Sequence, residues 1–142
     1  MPVQNEKDYP HADLTGKIIK CCMEAHSFLG PGFPEATYHK AVLKELRWAN
    51  LEFAPEREST VIYKDGDVLD VFRPDVIVAD TVIVEFKALS ALNDDHISQV
   101  LSYLKATNLQ IGLLFNFGEQ HLRFRRLINK YYDSTKSPNL SH

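Results

Sequence analysis

Apolar residues recur at Leu14, Ile18, Cys21, Cys22, Ala25 and Phe28, the spacing of one face of a helix. Asp13 is placed to cap that helix and Gly30 to stop it. Gly30-Pro31-Gly32 reads as a turn. Pro34 suits the first turn of a second helix, which Tyr38, Val42, Leu43 and Leu46 carry on to about Asn50. The period then changes. "STVIYKDGDVLDVFRPDVIV" is β-rich on both sides of Asp65-Gly66, a strong hairpin signal, and a third strand from Thr81 to Ala88 follows a turn at Ala79-Asp80. A third helix starts at Asn93 or Asp94, with Ile97, Val100, Leu101 and Leu104 as its stripe. "LQIGLLFNFG" is almost wholly apolar, as a buried strand is, and "HLRFRRLIN" alternates as a last strand. The order is ααβββαββ, an α/β arrangement with a single mixed sheet flanked by helices.

The ends of the chain differ from this body. Residues 1–12 are polar and proline-containing and read as a flexible arm, residues 13–130 as one domain, and residues 131–142 as a frayed tail. A chain of 142 residues has room for a single domain, and 44% hydrophobic with 25% charged residues is a globular balance, which excludes wholesale disorder. A net charge of −3 argues against charge-driven coating of nucleic acid, although it leaves room for a local basic groove. No apolar run is long enough for a membrane span, and the first residues lack the apolar core of a signal peptide, so a cytoplasmic protein is expected. Cys21 and Cys22 are neighbours on a helix and point in different directions, so reduced thiols are expected rather than a disulfide.

The chemistry lies around "RPDVIVADTVIVEFKA". If Ala79-Asp80-Thr81 forms the loop, Val78 faces Val82, Val76 faces Val84, and Asp75 faces Glu85. Directly opposed Cβ atoms in such a pair lie about 4.5–5.5 Å apart. Strand alternation then puts Asp75, Glu85 and Lys87 on one face and Val84 and Phe86 on the other; a slip of one residue would undo this. Two carboxylates at that distance repel unless a cation joins them. Mg²⁺ (or Mn²⁺) suits the pair, because it takes one or two carboxylates and keeps several waters. A lysine beside such an ion can orient or deprotonate an attacking water and offset phosphate charge, which is metal-assisted phosphodiester hydrolysis.

Pro74-Asp75 followed by Glu85-Phe86-Lys87 resembles the PD-(D/E)xK nuclease superfamily. "GFPEATY", Gly32 to Tyr38, fits G-x-x-E-x-x-Y, and the chain is similar over about Leu14 to Lys130 to the prokaryotic GxxExxY family of the same superfamily. The resemblance implies a restriction-endonuclease-like fold and a Mg²⁺-dependent nuclease acting on nucleic acid, DNA ahead of RNA. As in RecB-like members, Glu35 would be a third acid at the metal, beside Asp75 and Glu85. Gln99 and Tyr103, one turn apart on the third helix, would contact the substrate strand or hold Lys87. Tyr38 of the motif and Arg73 complete the substrate-binding set.

Plainer readings stand beside these. Glu35 also suits the positive end of its helix, Gln99 and Tyr103 suit the rim of a core, and Arg73 suits a solvated surface or a phosphate. Arg123 and Arg125 read either as a phosphate track or as the charged edge of a last strand. Cys22 and His26 are only two potential Zn²⁺ ligands and fit core packing better, and His96 fits a helix cap. The alternative function is a non-catalytic nucleic-acid-binding or protein-interaction module on a nuclease-like fold. A small acidic domain of this kind invites a homodimer or a partner protein to hold substrate.

Overall fold

Side-chain alternation along the middle of the chain sorts the core into two layers. The computed structural model describes residues 9–141; the first eight residues of the expected N-terminal arm lie outside the described residues. The helices are α1 (Ala12–Leu29), α2 (Glu35–Trp48) and α3 (Asp94–Thr107). The strands are β1 (Phe53–Pro55), β2 (Ser59–Ile62), β3 (Val68–Phe72), β4 (Val76–Val78), β5 (Val82–Lys87), β6 (Ile111–Asn116) and β7 (Arg123–Ile128). Five strands form one sheet in the order β1-β4-β5-β6-β7, while β2 and β3 form a separate ribbon. Only β5 and β6 run parallel, joined through α3, so the sheet is mixed.

Val76, Val78, Val82, Val84 and Phe86 face α1 and α2, where they meet Ile18, Cys22, Tyr38, Val42 and Leu46. Ile77 and Ile83 point the other way and pack with Val100, Leu104 and Leu114 under α3. Fully buried Phe86, Phe115 and Phe117 fill the first layer. Each such ring contributes roughly 1.5–3 kcal/mol relative to exposure. At Gly112 a Cβ would come within 2.8 Å of the Val100 side chain, so α3 approaches β6 closely only because no side chain stands there.

The fold class read from the sequence is the one observed: a mixed sheet flanked by helices, consistent with a restriction-endonuclease-like fold. Details differ. The stretch after Asp65-Gly66 is two strands, interrupted at Arg73-Pro74-Asp75, because Pro74 cannot donate to a ladder. The turn at Gly66 (φ 93°) is present, but the hairpin it closes is the separate ribbon. A short strand, β1, pairs with β4 and was not expected. The entry to α1 is His11 in a left-handed conformation, so Asp13 lies in the first turn and is not the cap.

The tail contacts the body of the domain. Asn108 and Asp133 exchange hydrogen bonds, with Nδ2 donating to the Asp133 carbonyl at 2.9 Å and the Asp133 N–H donating to Oδ1 at 3.0 Å. Asn139 donates through Nδ2 to the carbonyls of Thr60 (3.0 Å) and Ala106 (3.1 Å), and Leu140 packs on the core under α3. Asn108 of the body thus satisfies backbone groups of the tail at Asp133, and Asn139 of the tail satisfies backbone groups of the body.

Candidate active site

The hairpin register is the starting point. β4 pairs with β5 as Val76↔Val84, Ile77↔Ile83 and Val78↔Val82, so Asp75 and Glu85 meet at the open end of the pair. Each carboxylate reaches across to the other strand. Glu85 Oε1 accepts from the Asp75 N–H at 2.9 Å, and Asp75 Oδ2 accepts from the Phe86 N–H at 2.8 Å. Glu85 is 5% exposed. Burial, and then the charge and hydrogen bonding of Asp75, push its carboxyl up to about 9, against the smaller downward pull of the Asp75 backbone and Lys87. Without a cation the Glu85 carboxyl therefore keeps its proton at neutral pH.

Three further groups lie within electrostatic reach. Glu35 opens α2, and its carboxyl is raised by partial burial and then by Asp75, with Lys87 and His39 opposing. Lys87 ends β5, half-buried, on the same strand face as Glu85. The Tyr103 hydroxyl on α3 is raised by partial burial and then by Glu85, Asp75 and Asp70, and its ring stacks on Phe72 at 4.4 Å. Gln99 is exposed one turn before Tyr103. These contributions tie Glu35 to Asp75 and Lys87, and Tyr103 to Glu85 and Asp75. Among the described residues, however, no three His, Cys, Asp or Glu side chains close around one point as a preformed metal cage.

Two of the expected substrate-binding residues lie elsewhere. Tyr38 is fully buried; its O–H donates to the Gly30 carbonyl at 2.5 Å, accepts from the Phe33 N–H at 3.2 Å, and its ring stacks on Phe117 at 4.8 Å. It therefore holds the turn that delivers Glu35 and has no surface for substrate. Arg73 is turned to solvent and pairs with Glu58 at 2.7 Å. His96 serves the α3 cap, where its N–H donates to Asn93 Oδ1 at 3.2 Å and its Nδ1 accepts from the Asn93 N–H at 3.1 Å. His26 Nε2 lies 3.0 Å from the Glu119 carbonyl, and Cys21 and Cys22 are buried free thiols.

Sequence reading passed over two residues. His39, one turn after Glu35, packs on Phe86 at 5.3 Å and has a buried Nε2 without a hydrogen-bond partner among the described residues. The Glu35–His39 spacing was the available signal. Asn116 is buried beside Lys87 in the sheet register and clamps Leu89 through both amide atoms, at 2.9 and 3.0 Å. A Cβ on Gly118 would lie 2.2 Å from the Leu89 carbonyl, so the loop that follows Lys87 is held against a glycine.

A family model described as the PD-(D/E)XK nuclease superfamily matches residues 12–127. The chain belongs to the PD-(D/E)XK nuclease superfamily. No curated protein and no solved structure matches it. PD-(D/E)XK nucleases generally use divalent metals. The donor set here fits such an ion: two hard carboxylate oxygens, one of them on a residue that retains a proton until positive charge replaces it, with a lysine adjacent. Among the described residues, no helix is long and apolar enough to cross a membrane.

Proposed function

We propose that the chain is a metal-dependent phosphodiesterase acting on nucleic acid, DNA ahead of RNA, and that it is a GxxExxY-type member of its superfamily. The observation that carries this is the reciprocal clamp between Asp75 and Glu85, which crowds two carboxylates beside Lys87. A binding module has no need for a pair that resists ionisation. Asp75 and Glu85 would hold Mg²⁺ or Mn²⁺, with Glu35 joining them or their bound water. When bound, such an ion lowers the pKa of a coordinated water and offsets charge on the phosphate.

The protein's own groups do the rest. Lys87 donates to the attacking water or to a phosphoryl oxygen and disperses the charge that grows there. Glu35 accepts a proton or a hydrogen bond from that water. Tyr103 and Gln99, along one side of α3, contact the substrate strand or steady Lys87. Tyr38 is a positioning residue, acting through the turn before Glu35. Arg73 keeps at most a peripheral phosphate role.

The non-catalytic module is the second reading. The lack of a three-acid cage among the described residues favours it. One experiment separates the two: calorimetric titration of Mg²⁺ and Mn²⁺ into wild type and into Asp75→Asn/Glu85→Gln, with labelled DNA and RNA digested in parallel. Metal binding and cleavage that both vanish in the variant support the enzyme. Nucleic-acid binding without metal binding or cleavage in wild type supports the module.

A further inference from the structure

The outer side of the α1/α2 hairpin carries a groove of about 520 Å³ that takes no part in the carboxylate site. Its floor includes Ala25 and Ala41. Phe28, in the last turn of α1, is 90% exposed, and Trp48, the last residue of α2, is 70% exposed. The two helices are joined by a short turn, so Phe28 stands near the start of α2 and Trp48 at its end, about 16 Å further along. Thr37, Lys40, Ala41, Lys44, Glu45 and Trp48 recur at helical spacing along this side.

We infer that this groove is the contact of a two-fold homodimer, in which α2 packs antiparallel on α2 of a second copy. Antiparallel pairing centred between Val42 and Leu43 sets residues whose numbers sum to 85 opposite each other. Lys40 then faces Glu45 of the second copy, Ala41 faces Lys44, and Thr37 faces Trp48. Each Trp48 lies over the Phe28 end of the other groove. The patch is self-complementary in charge, with Lys40 and Lys44 against Glu24 and Glu45. That balance suits a second copy better than nucleic acid, which would call for a surplus of lysine. Ala41 near the centre lets the helices approach closely. Covering Phe28 and Trp48 removes roughly 300 Å² of aromatic surface per copy. That is a large part of the roughly 800 Å² each partner contributes to a stable interface. Asp75, Glu85 and Lys87 lie on the α3 face of the sheet, so the dimer leaves them open.

The test is sedimentation equilibrium of the full chain over a wide concentration range, for wild type, Trp48→Ala, Lys40→Glu, Glu45→Lys and the double exchange Lys40→Glu/Glu45→Lys. These positions lie at the surface of a folded helix pair, and far-UV circular dichroism checks that each variant stays folded. Wild type should dimerise. Trp48→Ala should weaken the dimer roughly thirtyfold, as loss of an aromatic anchor does. Each single charge reversal should weaken it, and the double exchange should restore it. A wild type that stays monomeric overturns the inference, including the case where Trp48→Ala instead lowers binding to anionic lipid vesicles. A dimer untouched by Trp48→Ala and by the charge reversals overturns it too, because another surface then makes the contact.

Discussion

Replacing Glu85 by Gln should make the metal-free protein more stable at neutral pH and remove much of its pH dependence. In the folded chain this carboxyl is raised from the ordinary 4.5 to about 9. Between those values the folded state holds a proton that the unfolded state has released. Stability then falls as pH rises, with a slope of up to about 1.4 kcal/mol per unit. The contribution is fully present below the unfolded value and is lost progressively towards the folded one. From about pH 5 to about pH 8 the upper bound is some 4 kcal/mol, a large share of a small domain's stability. Glutamine keeps an oxygen for the Asp75 N–H and an N–H₂ for the Asp75 carboxylate, without a proton to lose. Urea unfolding in EDTA across this range should give a falling line for wild type and a nearly flat one for Glu85→Gln. Added Mg²⁺ should raise wild type at the upper end and leave the variant unmoved. Parallel lines for the two proteins would refute the shared-proton picture and remove the main physical case for a metal there.

Other changes separate chemistry from architecture. Lys87→Gln should lower cleavage about 100-fold or more while metal binding persists, as single-turnover assays and calorimetry would show. Tyr38→Phe strips partners from the Gly30 carbonyl and the Phe33 N–H, and should cost about 1–3 kcal/mol in urea unfolding. It should also lower turnover through Glu35 without altering the nucleic-acid sequences bound. Gly118→Ala would put a methyl into the Leu89 backbone and should cost about 1–3 kcal/mol, with activity falling because the loop after Lys87 must move.

The acidic pair was legible because its flanks are symmetric. Val76-Ile77-Val78 and Val82-Ile83-Val84 have one good register with both faces buried, and that register fixes where Asp75 and Glu85 stand. Lys87 follows from alternation alone. The ribbon was not legible as a separate sheet. Val68, Leu69 and Val71 are exposed in it, and apolar composition cannot say which sheet a strand joins. β1 is three residues ending in Pro55, too short for any period to show. The part played by Tyr38 was hidden for another reason. A motif tyrosine looks the same in sequence whether its hydroxyl faces a substrate or a turn carbonyl, and only the packing against Phe117 decides between them.

Pro74 links the break in the sheet to the acids themselves. β3 stops before it and β4 starts after it, so the ladder opposite Glu85 and Phe86 is incomplete. The Phe86 N–H, which a regular partner strand would have satisfied, goes instead to Asp75 Oδ2, while the Asp75 N–H goes to Glu85 Oε1. The acids thus complete the sheet at the place where they gather charge. Asp75 must then have a structural role separable from any metal. Asp75→Ala leaves the buried Phe86 N–H without an acceptor and should cost about 1–3 kcal/mol even in EDTA. Asp75→Asn keeps an oxygen at that position and should lose metal affinity while retaining most of that stability. Amide hydrogen exchange at Phe86 gives the direct reading: slow in wild type and Asp75→Asn, fast in Asp75→Ala. If all three exchange alike, the carboxylate is not holding the strand, and Pro74 breaks the ladder without consequence for the site.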